Sequence, residues 1–385
     1  MILVGALLFS FGEPLMSNVV LAEQANNDRE VWMSSYAPWD LEDLTQWGYT
    51  QENLNVLIVF VDRIAQASNE EIQRFCDMIK QTDLRIAVEC GGLCTWYANK
   101  YEPGTRTFAE YSVYGPSGEY NKVKRLLDNG VEIDYLNFDH GITRGVHPDN
   151  KKEPFMSVDE ATQQMFYVME EWRKVCPNVT FNYVVNFPCA PWKDVPAYHP
   201  SWNYRVNFYD MFQSIVEYNK TSDVKMDAII ADNPYNYITG KQTSEWQDKY
   251  DWMSTVLDLE NETEKSGMKF GLIYNCEESG TNKDEKFYND TMTYLDVYKA
   301  AGGSPTYFLV ESWYAYPTTY IPETQPYSMT YLAKEFIQRV QPGGVKQREP
   351  TKIVTQDPLT ESKTKFTEKS TVTPIVSATT GANTN

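Results

Sequence analysis

The sequence predicts an α/β fold, specifically a (β/α)8 barrel with long loops at the C-terminal face. Three observations lead there. Eight short apolar runs recur between residues 30 and 311. Helix-like stretches lie between them. Several runs end in an acidic or aromatic residue and then turn polar. In a parallel α/β barrel the C-terminal ends of the strands converge on one face, where catalysis happens. Strand–helix alternation of this kind gives a barrel before any other fold. The runner-up, a doubly wound open sheet, would carry a glycine-rich phosphate loop after an early strand. No GxGxxG or P-loop pattern occurs.

The first run is Glu30–Tyr36, leading to Ala37-Pro-Trp39. The second, Leu54–Val61, is almost continuously apolar, as a strand buried on both faces should be. The third is Leu84–Glu89, the fourth Ile133–Asp139 and the fifth Val179–Asn186. The sixth is Ala228–Asp232, the seventh Lys269–Glu277 and the eighth Thr306–Glu311. Between them, Ser68–Lys80 puts Ile72, Phe75, Met78 and Ile79 on one helical face. Ser157-Val-Asp-Glu160 is a capping box opening a helix through Met165, Val168, Met169 and Trp172. Tyr204–Tyr218 reads as a helix on Met211, Phe212, Ile215 and Val216. Trp246, Tyr250, Met253 and Leu257 mark the next, with Gly267 past its end. Phe287, Thr291, Tyr294, Leu295 and Tyr298 mark another, ended by Gly302-Gly303. The last is Met329–Val340, stopped by Pro342-Gly-Gly.

The ends are of different material. Residues 1–27 resemble a secretory signal and leader, with small residues near a possible cut site. They lack a basic start, and Glu13 and Pro14 interrupt the apolar run. Residues 28–345 are the expected barrel, and 346–385 a disordered tail. Thirteen of the last 35 residues are Ser or Thr, with few large apolar groups to bury. The expectation is a secreted or extracellular protein, with tethering through the tail an option. A spanning helix is not expected, since the apolar run is too short.

The net charge of −19 argues against nucleic acid and against an anionic membrane surface as partners. It is also what simple solubility would give. Six cysteines include no CxxC pair and only three histidines exist, so no zinc cluster is expected. No metal and no cofactor is assigned. If the protein is exported, Cys90 could pair with Cys94, or Cys176 with Cys189. Aromatic residues make up 14% of the chain, enough both to fill a core and to supply sugar-stacking surfaces.

Chemistry concentrates where the strands end. The fourth strand ends in Asn137-Phe-Asp139-His140, the sixth in Asp232-Asn-Pro-Tyr235. The seventh ends in Asn275-Cys-Glu277-Glu278 and the eighth in Glu311-Ser-Trp313-Tyr314; the third adds Glu89. Two carboxyls flanking a sugar suffice for glycosidic cleavage. One protonates the leaving oxygen, and the other attacks the anomeric carbon or activates water. Any single acid here could instead cap a helix or form a structural ion pair. Trp39, Tyr235 and Trp313, with Tyr36, Trp96, Tyr97, Tyr237 and Tyr314, are candidate stacking rings. Glu311 is a candidate for holding sugar hydroxyls. Two long stretches, Cys90–Gly118 and Pro188–Trp202, are expected to wall a cleft.

An acid after strand 4, another after strand 7 and a Trp after strand 8 resemble the layout of the large clan of retaining (β/α)8 glycoside hydrolases. That resemblance implies Asp139 as acid/base and Glu277 as nucleophile, although the clan has Asn-Glu where this chain has Phe138-Asp139. The run Asp134-Tyr-Leu-Asn-Phe-Asp139 is also similar to the Asp-Tyr-Leu-Lys-Tyr-Asp run of the α-galactosidase clan. That second resemblance implies Asp139 as nucleophile and Asp232 as acid/base, with Asn137 where the clan has Lys. Asp139 is common to both. Glu277 is the favoured partner, since strand 7 should lie across the barrel from strand 4.

The leading expectation is therefore a secreted glycoside hydrolase cleaving an oligo- or polysaccharide with paired carboxylates at the barrel mouth. The alternatives are a catalytically silent, lectin-like barrel and a polysaccharide lyase using His140. Metal-dependent amidohydrolases and Schiff-base aldolases lack their His cluster and strand-end Lys here. The acidic, aromatic loops after strands 7 and 8 would repel phosphate.

Overall fold

The structure is a computed structural model. It describes residues 29–146, 155–187, 190–195, 207–240 and 250–341, without the side chains of Thr95, Glu278 and Ser279. The signal-like segment, the 346–385 tail and most of the 188–202 stretch lie outside the described residues.

Eight parallel strands close into a barrel in sequence order. They are β1 (Glu30–Ser35), β2 (Val56–Phe60), β3 (Arg85–Cys90), β4 (Tyr135–Asp139), β5 (Thr180–Asn186), β6 (Met226–Asp232), β7 (Lys269–Tyr274) and β8 (Tyr307–Val310). β8 pairs back onto β1, with Val31 opposite Phe308, so no sheet edge is left. All eight expected runs are strands. The α/β class and the (β/α)8 barrel therefore stand as read from the sequence.

The helices follow from caps and apolar spacing. Asn69–Ile79 and Val158–Val175 each open on a complete capping box, Ser68 with Glu71 and Ser157 with Glu160. Two described helix starts differ from expectation. The helix expected through Tyr250 begins at Trp252, where Asp251 caps it by accepting from the Ser254 N–H. The helix expected from Tyr204 is described from Phe208 to Thr221, because Asn207 caps it by accepting from the Tyr209 N–H.

Strand alternation sorts the core into two parts. Outward-facing residues pack under the helices in one large cluster. Inward-facing residues, among them Trp32, Ile58, Ala87, Tyr135, Val184, Ile230, Ile273, Tyr307 and Leu309, fill the lumen. At the N-terminal end the lumen is sealed by Trp32 between Tyr135 and Tyr307, with ring centroids 4.6 and 4.7 Å apart. The Arg85–Glu30 ion pair at 2.7 Å sits beside them. This end is a plug. The opposite end is where the polar residues gather.

Cys90, Cys94 and Cys176 are free thiols, so Cys90 and Cys94 do not pair. The other suggested partner, Cys189, lies outside the described residues. No described helix is long and apolar enough to cross a membrane.

Candidate active site

The same alternation that fills the lumen with Ala87, Tyr135, Ile230 and Leu309 carries inward, two residues on, Glu89, Asn137, Asp232 and Glu311. Their burial is nearly complete: Glu89 is 4% exposed, Asn137 0%, Asp232 8% and Glu311 0%. Buried polar side chains at this end, where a structural layer would be branched aliphatic, make it the candidate site.

Asp139 closes β4 and its side chain is 26% exposed. The next residue, His140, takes a positive φ of 57°, a left-handed turn that His tolerates better than branched residues do. The turn brings His140 Nδ1 onto Asp139 Oδ1. Arg144, one helical turn on, donates from Nη2 to Asp139 Oδ2 at 3.2 Å and from Nε to its backbone oxygen at 3.1 Å. Burial acts to raise the Asp139 carboxyl. The charges and hydrogen bonds of His140 and Arg144 outweigh it and hold the group below the ordinary Asp range. The local ion-pairing that would make Asp139 a purely structural residue is thus present, and it also keeps the group ionised.

Arg144 reaches this position because Gly91 has no side chain. A Cβ there would stand 3.0 Å from Arg144 Nη1. The Gly91 and Gly92 N–H groups donate to the buried Glu119 carboxylate at 2.6 and 3.1 Å. Glu119 therefore fixes the turn that leaves β3. Nothing in its sequence context singles it out.

Asp232 ends β6 in the opposite environment. It accepts from Asn275 Nδ2 at 2.6 Å and from Asn186 Nδ2 at 3.3 Å. Burial, then the negative charge of Asp139, push its carboxyl up to about 7, against the lowering effect of the Asn275 bond. Asn186 stands directly opposite Asp232 in the β5–β6 register. Asp139 stands opposite Val184, so the two acids lie two strands apart with Asp232 two residues further along its strand. The charge of Asp139 acts on the Asp232 carboxyl, which puts the two within electrostatic reach of one another.

Glu89 and Glu311 lie on β3 and just past the end of β8. Both carboxyls are pushed well above the ordinary Glu range. Burial is the largest cause for each, followed by the charge of Glu311 on Glu89, and of Asp232 and Asp139 on Glu311. Neither Glu311 oxygen has a hydrogen-bond partner, nor does Glu89 Oε2.

The remaining expected residues divide. Glu277 is half-buried and opens the one-turn helix Glu277–Gly280, so it sits past the end of β7 rather than on the lumen wall. Trp313 forms an aromatic group with Phe60 and Tyr36, at centroid distances of 4.6 and 6.2 Å, on the β8–β1–β2 side of the mouth. Its Nε1 has no acceptor. Trp39 is half-buried in the short helix Pro38–Leu41, packed on the outer core. Tyr235 is a correction: it is 3% exposed with its ring against Tyr294, so it offers no open face for stacking. Its strand-end position was legible, but its packing was not. Tyr237 is buried too.

The two long stretches also differ from expectation. The first folds over Thr95–Lys100 and Thr107–Tyr114 and leaves Trp96 83% exposed. In the second, Trp192 is buried and donates to Asp258 at 2.8 Å, so it belongs to the core and not to a cleft wall. Sequence reading missed Asn182, Asn186 and Glu119 as site residues. Asn182 and Asn186 had one available signal, since two Asn on the inward period of a buried strand are otherwise unexplained.

No family model matches the sequence, and no curated protein matches it. Among solved structures the chain is similar to two fungal β-1,4-galactanases (8% identity, TM-score 0.45, covering 73% of this chain and 88% of theirs). It is similar to KGPDC from Streptococcus mutans (10%, 0.38, 81% and 98%). It is also similar to D-psicose 3-epimerase (8%, 0.40, 82% and 100%). These are enzymes of differing chemistry, and none of the likenesses bears on what this site does.

Proposed function

We propose that the protein is a glycoside hydrolase that uses Asp139 and Asp232 as its pair. The observation that carries this reading is the opposed environment of two neighbouring carboxyls. Asp139 is held ionised by His140 and Arg144, while Asp232 is kept protonated near neutral pH by burial and by Asp139 itself. Pairs of titratable groups pushed apart in this way mark acid and base roles. Asp232 is favoured over Glu277 as the partner because it faces the lumen and senses the Asp139 charge directly.

In the first step the Asp139 carboxylate gives an electron pair to the anomeric carbon. Asp232 gives its proton to the glycosidic oxygen, and the carbon–oxygen bond breaks. In the second, Asp232, now a carboxylate, takes a proton from water, whose oxygen displaces Asp139 from the sugar. Atoms and charge return to the starting state. Asn186 and Asn275 hold Asp232 in place, and Phe60, Tyr36 and Trp313 form an apolar side wall. Export belongs to the same reading, on the signal-like residues 1–27; fractionation of expressing cells tests it.

The test of the activity is a screen of the full chain against a polysaccharide panel, reading new reducing ends. Activity that Asp139→Asn abolishes supports the proposal. Binding without cleavage of any member would make the protein a lectin-like barrel. Cleavage that yields an unsaturated product would make it a lyase.

A further inference from the structure

The mouth holds more acids than bond cleavage uses. Glu311 and Glu89 are buried, and three of their four carboxyl oxygens have no partner. Of the nearby arginines, Arg144 is bonded to Asp139 and Arg63 lies over the Tyr36 ring, 4.2 Å from its centroid. Among the described residues no ion pair involves Glu89, Asp232 or Glu311. A buried acceptor without a donor is costly, and more so when charged. Two such groups at one mouth, on β3 and just past β8, therefore point to a ligand that completes them. A sugar hydroxyl brings one donor and no charge, whereas an ammonium brings three donors and a positive charge. No described group of three His, Cys, Asp or Glu has the arrangement to hold a metal ion. That leaves an organic cation as the fitting partner. The Trp313 and Phe60 rings stand on the β8–β1–β2 side of the mouth, near Glu311, where a cation also gains from ring faces. The net charge of −19 would draw a polycation at long range.

We infer that the substrate is an oligomer of a free amino sugar, and that Glu311, with Glu89, holds the ring ammonium while Asp139 and Asp232 flank the bond. This rests on the hydrolase reading above. Burial raises the Glu311 carboxyl above the ordinary Glu range while the site is empty, and an ammonium beside it favours the carboxylate.

The experiment uses the full chain with Asp139→Asn as a non-cleaving form. Glucosamine and galactosamine oligomers are titrated in, then the same oligomers after N-acetylation, then neutral gluco-oligomers. The expected result is binding of the free amines about 10–100-fold tighter than of the acetylated forms, the span of one charge-assisted bond. Glu311→Gln should remove that preference. Because N-acetylation alters the ligand alone, the test holds even if Glu311→Gln fails to fold. Equal or tighter binding of the acetylated or neutral oligomers overturns the inference. If the parent cleaves neutral polymers and not amines, the hydrolase reading survives and amine recognition falls. If amines bind selectively but no oligomer is cleaved, recognition survives and the hydrolase reading falls.

Discussion

Replacing Asp232 with Asn should make the protein progressively more stable relative to the parent as pH rises from about 4 to about 7. The folded carboxyl titrates at about 7 against a reference of 3.8. Below pH 3.8 both folded and unfolded chains carry the proton, and the group contributes no pH dependence. Between about 4 and 7 the unfolded chain has released its proton and the folded chain has not. Stability therefore falls as pH rises through that window and levels off above it. A gap of about three pH units at 1.36 kcal/mol each is about 4 kcal/mol. Asn does not titrate, so the variant should escape that loss. The Asn275 and Asn186 bonds are partly lost at every pH, which shifts the whole curve without changing its shape. The assay is thermal unfolding of the full chain and of Asp232→Asn from pH 4 to pH 8. The difference between them should grow by about 4 kcal/mol in favour of the variant, roughly 6 °C in midpoint for a barrel of about 310 residues. A difference that stays constant across the range would refute the argument, because it would mean that Asp232 is ionised in the folded state at all these pH values.

If the proposed chemistry holds, kcat/KM should fall about tenfold per pH unit above pH 7, as Asp232 loses its proton; a flat profile from pH 6 to 9 contradicts the assignment. Asp139→Asn should lower the rate at least about 100-fold while the unfolding midpoint stays close to the parent's; near-full activity would remove Asp139 from the mechanism. Glu277→Gln should keep most activity, and a dead Glu277→Gln beside an active Asp232→Asn would restore the strand-7 carboxyl as the partner. Glu119→Ala should cost about 2–4 kcal/mol, since it leaves the Gly91 and Gly92 N–H groups buried and unpaired; denaturant unfolding reads this. Removing residues 350–385 should leave the unfolding midpoint unchanged, as their composition cannot support a core.

The sequence by itself determined the barrel. Runs such as Val56–Phe60 and Ala228–Ala231 are apolar throughout because strands buried on both faces admit little else, and the Ser157 capping box marks a helix start from four residues alone. It also placed Asp139, Asp232 and Glu311 at one mouth, because any strand end in this fold lies there. What it could not decide was environment. Asp139 and Asp232 are the same residue at the ends of strands two apart. One is held below the ordinary range because a left-handed His140 and Arg144, packed against Gly91, reach it; the other is pushed up to about 7 because burial and the Asp139 charge outweigh the Asn275 amide bond. Glu277 and Tyr235 look as well placed in the chain as their neighbours. Yet Glu277 falls one step past the lumen wall, and Tyr235 turns into the core against Tyr294. These outcomes depend on which residues distant in sequence arrive at each carboxyl or ring, and only the closed barrel brings them together.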